Sequence, residues 1–468
     1  MYRQHGAAHR DSIAQCAGDL LCEICAATPR RCHAVCFAGD GGRHSGRSIG
    51  SSIYPSLRQG TVIQSMAKAC GNIHPNPGEK TESSILFPSG NAYNQLGLPW
   101  PPFEATSNSQ TPFEIHYEQR KYKLQKDIKK MEDGIRDVDN KLNNMMLKIP
   151  NIPQDKVPLG DDDSENVILH EYGDIVETSF SVKPHWEIGE NLGIIDFKRA
   201  VKISGTRFFV LKGQGAMLQR ALISWMLDLH IKEHGYEEIY VPNIVNTETA
   251  IGSGQLPKFS NNMYFDEEDD FWLIPTAEVP LTSMHKNEIL KEEDLPINYV
   301  AHSLCFRREK VAAGRDSRGI KRVHQFDKIE MYKLVKQEDS DLELDLLLKH
   351  ATEVCLRLEI PYRVIEICTG DLGFGSSRSY DIEMWAPGSE EWLEVSSCSN
   401  CTDFQSRRSS IKYRNSSKKS SSFVHTLNGS GLALPRVIIA ILENYQREDG
   451  SIEIPKVLRP YTGFEQIS

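Results

Sequence analysis

The clearest hydrophobic pattern in the chain lies between residues 117 and 149. Apolar side chains recur there at alternating steps of four and three residues, a spacing that predicts the seam of a coiled coil on one long helix. The seam positions are Leu124, Ile128, Met131, Ile135, Val138, Leu142, Met145 and Ile149. Charges of both signs fill the positions between them, and Pro150 and Pro153 predict where the helix ends. Such a seam needs a partner helix.

The segments on either side of this helix differ in kind. Residues 1–112 show no sustained period and are rich in Gly, Ser, Pro and Asn, which predicts an atypical, poorly ordered segment. Residues 151–468 alternate helical and strand-like runs, with an amphipathic helix from Leu218 to Leu229 that ends near Gly235. Short β-branched and aromatic runs predict strands at 240–245, 271–274, 323–334 and 392–395. We therefore expect a long single helix at 113–150 and an α+β domain with an antiparallel sheet at 151–468.

Composition narrows the setting of this domain. The chain has 468 residues and a net charge of -10, so a polyanionic partner would need a local basic surface. No apolar run approaches the roughly 18 residues of a membrane span, which predicts no membrane insertion. The eleven cysteines are odd in number and dispersed, which favours free thiols in a reducing compartment. The cytoplasm is the expected location, with an organelle as the alternative.

The segment from Phe306 to Glu330 carries the densest functional signal. It reads as two strands joined by a loop rich in Arg and Lys, with Arg307 and Glu309 on one strand and Phe326 on the other. A guanidinium for phosphate oxygens, a ring for base stacking and carboxylates for an amine are the parts of a nucleotide site. A surface hairpin with paired charges is the ordinary alternative.

Six segments in order resemble the motifs of the seryl type of class II aminoacyl-tRNA synthetases. They are GYEEIYVP (235–242), PTAEVPLT (275–282), FRRE with RVHQFDKIE (306–330), TGDLGFGSSRSYDIEMW (369–385), EVSSCSNCTDFQSRR (394–408) and HTLNGSGLALPR (425–436). The resemblance covers residues 113–468 and implies a class II antiparallel sheet flanked by helices, after a partial coiled-coil arm. It also implies ATP-dependent activation of L-serine and transfer to tRNA(Ser) by a homodimer, and it leaves tRNA(Sec) open as a second acceptor.

The resemblance assigns roles residue by residue. It places five residues in the serine pocket: Thr276, Ala277, Glu278, Glu330 and Ser430. It places nine at ATP: Arg307, Arg308, Glu309, Phe326, Glu394, Val395, Ser396, Ser397 and Arg436. Arg307 and Arg436 are the implied catalytic residues, and Glu394 and Ser397 the implied ligands of Mg²⁺.

Three features depart from the family pattern. The first helix of the family's two-helix arm has no counterpart before residue 117. The family's Ala-Gly after the glutamate of FRRE, here Glu309, is replaced by Lys310 and Val311. A positive φ at Val311 would be strained. Cys398 and Cys401 form a C-x-x-C pair, for which packed thiols are favoured over zinc because no second pair lies nearby. The missing helix leaves two alternatives: an amino acid:carrier-protein ligase, or an inactive, truncated synthetase-like protein.

Overall fold

The computed structural model describes residues 112–175, 178–310, 318–415 and 420–468. The predicted poorly ordered segment lies outside these residues, apart from its last position, and so does Val311. The chain divides into two units at Gly134 and Ile135, inside its first described helix. In the described part of the chain, no helix combines the length and apolar composition that a membrane span needs.

Helix α1 is the predicted coiled-coil helix and runs from Pro112 to Met146. It ends three residues earlier than the seam suggests, so Ile149 lies beyond it in a turn. Six seam side chains are between 42% and 61% exposed, and they are Leu124, Ile128, Met131, Ile135, Val138 and Leu142. The helix is therefore confirmed, and its apolar face is open to solvent.

The remaining elements follow in chain order. The other helices are α2 His185–Asn191, α3 Phe197–Ser204, α4 Gln214–Lys232, α5 Thr247–Gly252, α6 Glu278–Ser283, α7 Ser340–Arg357, α8 Phe404–Ser409, α9 Leu434–Asn444 and α10 Arg459–Thr462. The strands are β1 Val167–Tyr172, β2 Glu237–Glu238, β3 Ile244–Val245, β4 Tyr264–Asp266, β5 Phe271–Leu273, β6 Ile289–Lys291, β7 Ile297–Phe306, β8 Gln325–Val335, β9 Tyr362–Glu366, β10 Arg378–Ala386, β11 Glu391–Thr402, β12 Lys412–Asn415, β13 Ser420–Phe423, β14 His425–Ala433, β15 Ile452–Glu453 and β16 Gln466–Ile467.

An eight-stranded sheet forms the centre of the fold, in the order β1-β9-β10-β11-β14-β8-β7-β2. Every pairing in it is antiparallel except that of β2 with β7, which is parallel. Helices α4, α7 and α9 bury their apolar faces against this sheet and share one hydrophobic core with it. The predicted α+β class with an antiparallel sheet is confirmed.

The helix predicted at 218–229 is α4, and the chain turns away after it at Gly235, whose φ is +74°. A positive φ is easy for glycine because it has no Cβ. The strand predicted at 240–245 is wrong in its first four positions: only Ile244 and Val245 pair with another strand, and Tyr240 is 97% exposed. Pro242 explains the break, since it has no amide hydrogen to donate to a ladder.

Arg307 and Glu309 are also not strand residues, because β7 ends at Phe306. The Arg307 amide still donates to the carbonyl of His324 at 2.9 Å, but Glu309 has a φ of +48°, which no regular strand accommodates. Glu309 thus carries a positive φ in the described part of this turn, while the expectation for Val311 falls outside the described residues.

The core of α4 generates a stability prediction. Leu222 is fully buried against the sheet, whereas Leu159 is 83% exposed in a loop. Leu222→Ala should lower the free energy of unfolding by about 2 to 5 kcal/mol, because it removes apolar contacts and leaves a cavity. The matched Leu159→Ala variant should change it by less than about 0.5 kcal/mol. Urea denaturation measures both, and equal effects would contradict this packing.

Candidate active site

A cavity of about 480 Å³ opens on the sheet where β7, β8, β11 and β14 adjoin. Eleven of the fourteen predicted site residues line it: Thr276, Glu278, Arg307, Glu309, Phe326, Glu394, Val395, Ser396, Ser397, Ser430 and Arg436. The other three lie outside its lining and are Ala277, Arg308 and Glu330. The predicted residues therefore converge on one place, although they span 160 positions of sequence.

Strand register brings the two halves of the site together. In the pairing of β14 with β8, Ser430 lies opposite Glu330 and Ala433 lies opposite Lys328. The irregularity between these pairs lets β14 turn directly into α9, which places Arg436 in the first turn of that helix. On the other side, Ser396 of β11 donates its hydroxyl to the Ser430 carbonyl at 2.6 Å.

Arg307 and Arg308 lie in different surroundings. Arg307 lies with its guanidinium 5.2 Å from the centre of the Phe326 ring, and both line the cavity. Arg308 donates to the Met263 carbonyl at 2.7 Å and stacks on Tyr264 at 4.7 Å. The structure thus places Arg307 in the cavity lining, whereas Arg308 holds the neighbouring strand β4.

A buried charge cluster forms the floor of the cavity. The Lys328 ammonium donates to the Thr276 hydroxyl at 2.7 Å and forms an ion pair with Glu330. Glu330 is fully buried, and among the described residues its Oε1 has no hydrogen-bond partner. Glu278 lies close enough to feel both charges. Arg307 also acts on Glu278, but burial and Glu330 outweigh both cations.

This imbalance shows in the protonation of Glu278. Burial, and then the negative charge of Glu330, raise the pKa of the Glu278 carboxyl to about 7, although Lys328 acts in the opposite direction. Desolvation disfavours the charged carboxylate, and a like charge adds to that effect. Glu278 is therefore poised to change its charge near neutral pH.

Gln405 holds Glu278 in place. Its amide nitrogen donates to Glu278 Oε1 at 2.6 Å and to the Ser253 carbonyl at 3.1 Å. Its amide oxygen accepts from the hydroxyls of Thr426 at 2.7 Å and Tyr332 at 3.1 Å. Three of these bonds are buried and the one to Glu278 is partly buried, and together they leave the amide one satisfied orientation.

Carboxylate oxygens lie at the opposite wall of the cavity and next to it. Arg436 donates to the carbonyl oxygen of Glu394 at 2.5 Å, and its Nη1 lies 3.4 Å from the Glu394 carboxylate. Asp381 faces Ser397 across the β10–β11 pair, and its buried Oδ1 has no described hydrogen-bond partner. Burial, and then Glu394, hold the pKa of Asp381 well above its usual range. The raised pKa means that Glu394 and Asp381 do not readily ionise together without a nearby cation, and a hard cation would supply that charge.

The residues present therefore fit a magnesium ion. In the described part of the chain, no cluster of three His, Cys, Asp or Glu side chains could enclose a metal. Mg²⁺ does not need one, because it is typically held by one or two protein oxygens together with substrate phosphates. Cys398 and Cys401 are fully or nearly buried free thiols, as the packed-thiol interpretation predicts.

Sequence reasoning missed two residues of the site. Lys328 lies two residues from both Phe326 and Glu330 on β8, so the three side chains share one strand face. This alternation could have predicted that Lys328 belongs to the site. Gln405 lies in DFQ after the EVSS motif, and no spacing links it to Glu278, which is 127 residues away. That contact requires the fold.

The raised pKa of Glu278 generates a pH prediction. The folded protein holds this proton more tightly than the unfolded chain, whose glutamate titrates near 4.5. Its contribution to the free energy of unfolding is thus greatest below pH 4.5 and falls by about 3 kcal/mol as pH rises to about 7. Glu278→Gln should remove that slope, whereas Glu237→Gln on exposed β2 should keep it. Parallel pH profiles for wild type and Glu278→Gln in urea denaturation would contradict the shift.

Comparison with known proteins agrees with this geometry. The family model described as "tRNA synthetase class II core domain (G, H, P, S and T)" matches residues 259–445. A serine–tRNA ligase of Dehalococcoides mccartyi is 56% identical over 340 residues, which is 73% of this chain and 82% of that protein. One from Thermomicrobium roseum is 59% identical over 322 residues, 69% of this chain and 72% of that protein.

A solved structure gives the same result in three dimensions. The seryl-tRNA synthetase of Pyrococcus horikoshii, in complex with ATP, is 40% identical and superposes with a TM-score of 0.71 over 75% of this chain and 82% of that one. These identities extend over most of both proteins, and the cavity lies largely within the matched family domain. The chain belongs to the serine–tRNA ligase family of class II synthetases.

Proposed function

We propose that this chain activates L-serine with ATP to seryl-adenylate and then transfers serine to the 3′ end of tRNA(Ser). The observation that carries the proposal is the cavity itself, which joins a buried polar floor to a wall of arginines and carboxylates. The relatives described above are serine–tRNA ligases, which does not favour the carrier-protein alternative.

The floor of the cavity supports serine as the substrate. Thr276 and Glu278 line it, and Ser430 lies beside them on β14. We propose that these three contact serine, and that Glu330 acts on them through Lys328. At Glu278, burial and Glu330 outweigh the cations Lys328 and Arg307, so the α-ammonium of serine would add a favourable positive charge there. A pocket built around a hydroxyl rejects alanine because its polar groups would lose a partner. Ala277 does not line the cavity and is fully buried in an apolar cluster with Leu281 and Tyr332.

The upper wall supports ATP. Phe326 offers a ring face for adenine, and Arg307 lies above that ring, where an α-phosphate would follow the base and ribose. Glu309, whose carboxylate lies 3.7 Å from Arg322, and the Glu394–Ser397 segment complete the proposed site. The serine carboxylate attacks the α-phosphorus, the bond to the β-phosphate oxygen breaks, and pyrophosphate leaves. Arg307 and Arg436 stabilise the negative charge that develops.

Glu394 and Ser397 would hold Mg²⁺, which supplies charge neutralisation at the phosphates. In the second step a ribose hydroxyl of tRNA attacks the adenylate carbonyl, and AMP leaves. We further propose a homodimer and a cytoplasmic location, the latter because the five described cysteines are free thiols.

The test is serine-dependent exchange of pyrophosphate into ATP without tRNA, followed by transfer of labelled serine to tRNA(Ser). Exchange and transfer together are expected. Exchange without transfer, with serine passed to a phosphopantetheine carrier instead, would favour the carrier-protein ligase. Absence of exchange from a folded protein would overturn the proposal.

Arg436 provides the sharpest variant for this reaction. Arg436→Gln should lower the rate constant of exchange about a hundredfold, because one preorganised cation at the phosphates is lost. The KM for serine should change little, since Arg436 lies on the opposite wall from Thr276. Arg447→Gln, which removes an arginine from an exposed ion pair with Glu453, is the matched control and should leave exchange unchanged. A loss confined to serine binding would argue against this role.

The charge of Glu278 adds a pH prediction for serine. Below a pH of about 7 this carboxyl is increasingly protonated and attracts the serine ammonium less. The KM for serine should therefore rise as pH falls from about 8 to about 6, while the KM for ATP changes less. Exchange kinetics at constant ionic strength measure both, and a flat serine profile would contradict the assignment of Glu278.

A further inference from the structure

A buried histidine–glutamate pair lies outside the cavity and touches its wall from behind. His185 begins α2 and Glu443 lies near the end of α9, and both side chains are at most 2% exposed. The His185 Nδ1 lies 2.9 Å from Glu443 Oε1. On its other side, His185 Nε2 lies 3.2 Å from the backbone nitrogen of Ile320.

These contacts define the proton positions on the ring. Glu443 receives four hydrogen bonds, from the His185 amide, the His185 ring, the Ser389 amide and the Ser389 hydroxyl. A carboxylate that accepts from four donors requires the proton on Nδ1. Nε2 then keeps its lone pair, which is what the Ile320 amide needs as an acceptor. The carboxylate sets the tautomer, and the tautomer holds the backbone at Ile320.

The held segment leads into the cavity. Ile320 is fully buried, and the next three residues, Lys321 to Val323, line the cavity. Gly319, just before it, has a φ of +73° and approaches the ring so closely that a Cβ there would lie 2.0 Å from His185 Nε2. The segment therefore packs closely on His185 at Gly319 as well as through the Ile320 amide.

The same pair reaches the opposite wall. Glu443 and Arg436 lie on one helix, α9, about two turns apart, and Arg436 is at its first turn. The pair thus joins the helix that carries one proposed ATP residue to the segment that carries Lys321 and Arg322. Lys321 forms an ion pair with Glu391, and Arg322 lies 3.7 Å from Glu309. A displacement of Ile320 would move these cations relative to Arg436.

We propose that His185, set by Glu443, is a positioning residue for ATP: it fixes the segment 319–323 against α9 so that the cations of the two walls keep the spacing that the triphosphate requires. The inference rests on the proposed use of the cavity for ATP. His185 does not itself touch the substrate. Small misplacements of binding groups are costly in such a site, because electrostatic stabilisation depends on fixed geometry.

Two substitutions separate the two contacts of the ring. His185→Asn leaves a polar atom near the place of Nδ1 but none that can reach Ile320, whereas the longer side chain of His185→Gln extends to the place of Nε2. His185→Asn should therefore raise the KM for ATP in pyrophosphate exchange about tenfold, the size expected for one buried hydrogen bond. His185→Gln should restore most of that loss. The KM for serine should stay within about twofold of wild type in both, because the floor of the cavity is untouched.

Two further variants keep the test decisive if His185→Asn folds poorly. Gly319→Ala approaches the same contact from the loop side and should also raise the KM for ATP. Ser389→Ala removes a hydrogen bond to Glu443 but leaves the contact of His185 with Ile320, so it is the matched control and should keep the wild-type KM. Thermal unfolding of each variant confirms that the assays are made on folded protein.

The outcomes distinguish this inference from the proposed function. Wild-type protein without exchange would overturn the function itself. Wild-type exchange with an unchanged ATP KM in both His185→Asn and Gly319→Ala would overturn only the positioning role. Equal rises in the KM values for ATP and serine, with no rescue by His185→Gln, would show a general structural role and would also overturn it.

Discussion

The buried charges around Lys328 are the constraint on which the rest of the site depends. One ammonium lies between the Thr276 hydroxyl and Glu330, and Glu278 lies within reach of the same charges. Removing water from three charged groups is costly, and full compensation would need a second cation. Arg307 acts on Glu278 together with Lys328, yet burial and Glu330 outweigh both cations and keep the pKa of Glu278 raised. A further positive charge at the floor would therefore favour the ionised carboxylate.

The sheet makes this arrangement possible. Lys328 and Glu330 alternate with buried apolar residues along β8, and the neighbouring β14 brings Ser430 opposite Glu330 before it turns into α9. Antiparallel pairing fixes the register because a slip of one residue would turn Lys328 and Glu330 to the other face. The large core beneath the sheet therefore does more than stabilise the fold: it prevents the slip that would separate the charges.

The sequence predicts the fold class, helix α1 and most of the cavity lining, each from a different kind of pattern. The α+β class follows from the alternation of patterns, and helix α1 follows from its seam, because both are local properties. The convergence of Arg307, Phe326 and Arg436 on one cavity rests on the ordered motifs. Side-chain alternation predicts Glu309 on a strand, although its backbone has a positive φ. A tertiary contact can impose that conformation, and alternation does not reveal it.

Gln405 and His185 show what the sequence could not provide. Each is a buried polar side chain with one partner more than one hundred residues away, Glu278 for Gln405 and Glu443 for His185. Gln405 lies within the motif at 394–408 and His185 in none of the six motifs, but neither position reveals which partner faces the side chain. Gln405 has four satisfied bonds and orients a carboxylate at the floor, while His185 has a fixed tautomer and holds backbone behind the upper wall. The hydrogen bonds of Gln405 and His185 thus fix the orientation of groups around the cavity, while the buried charges around Lys328 fix its electrostatics.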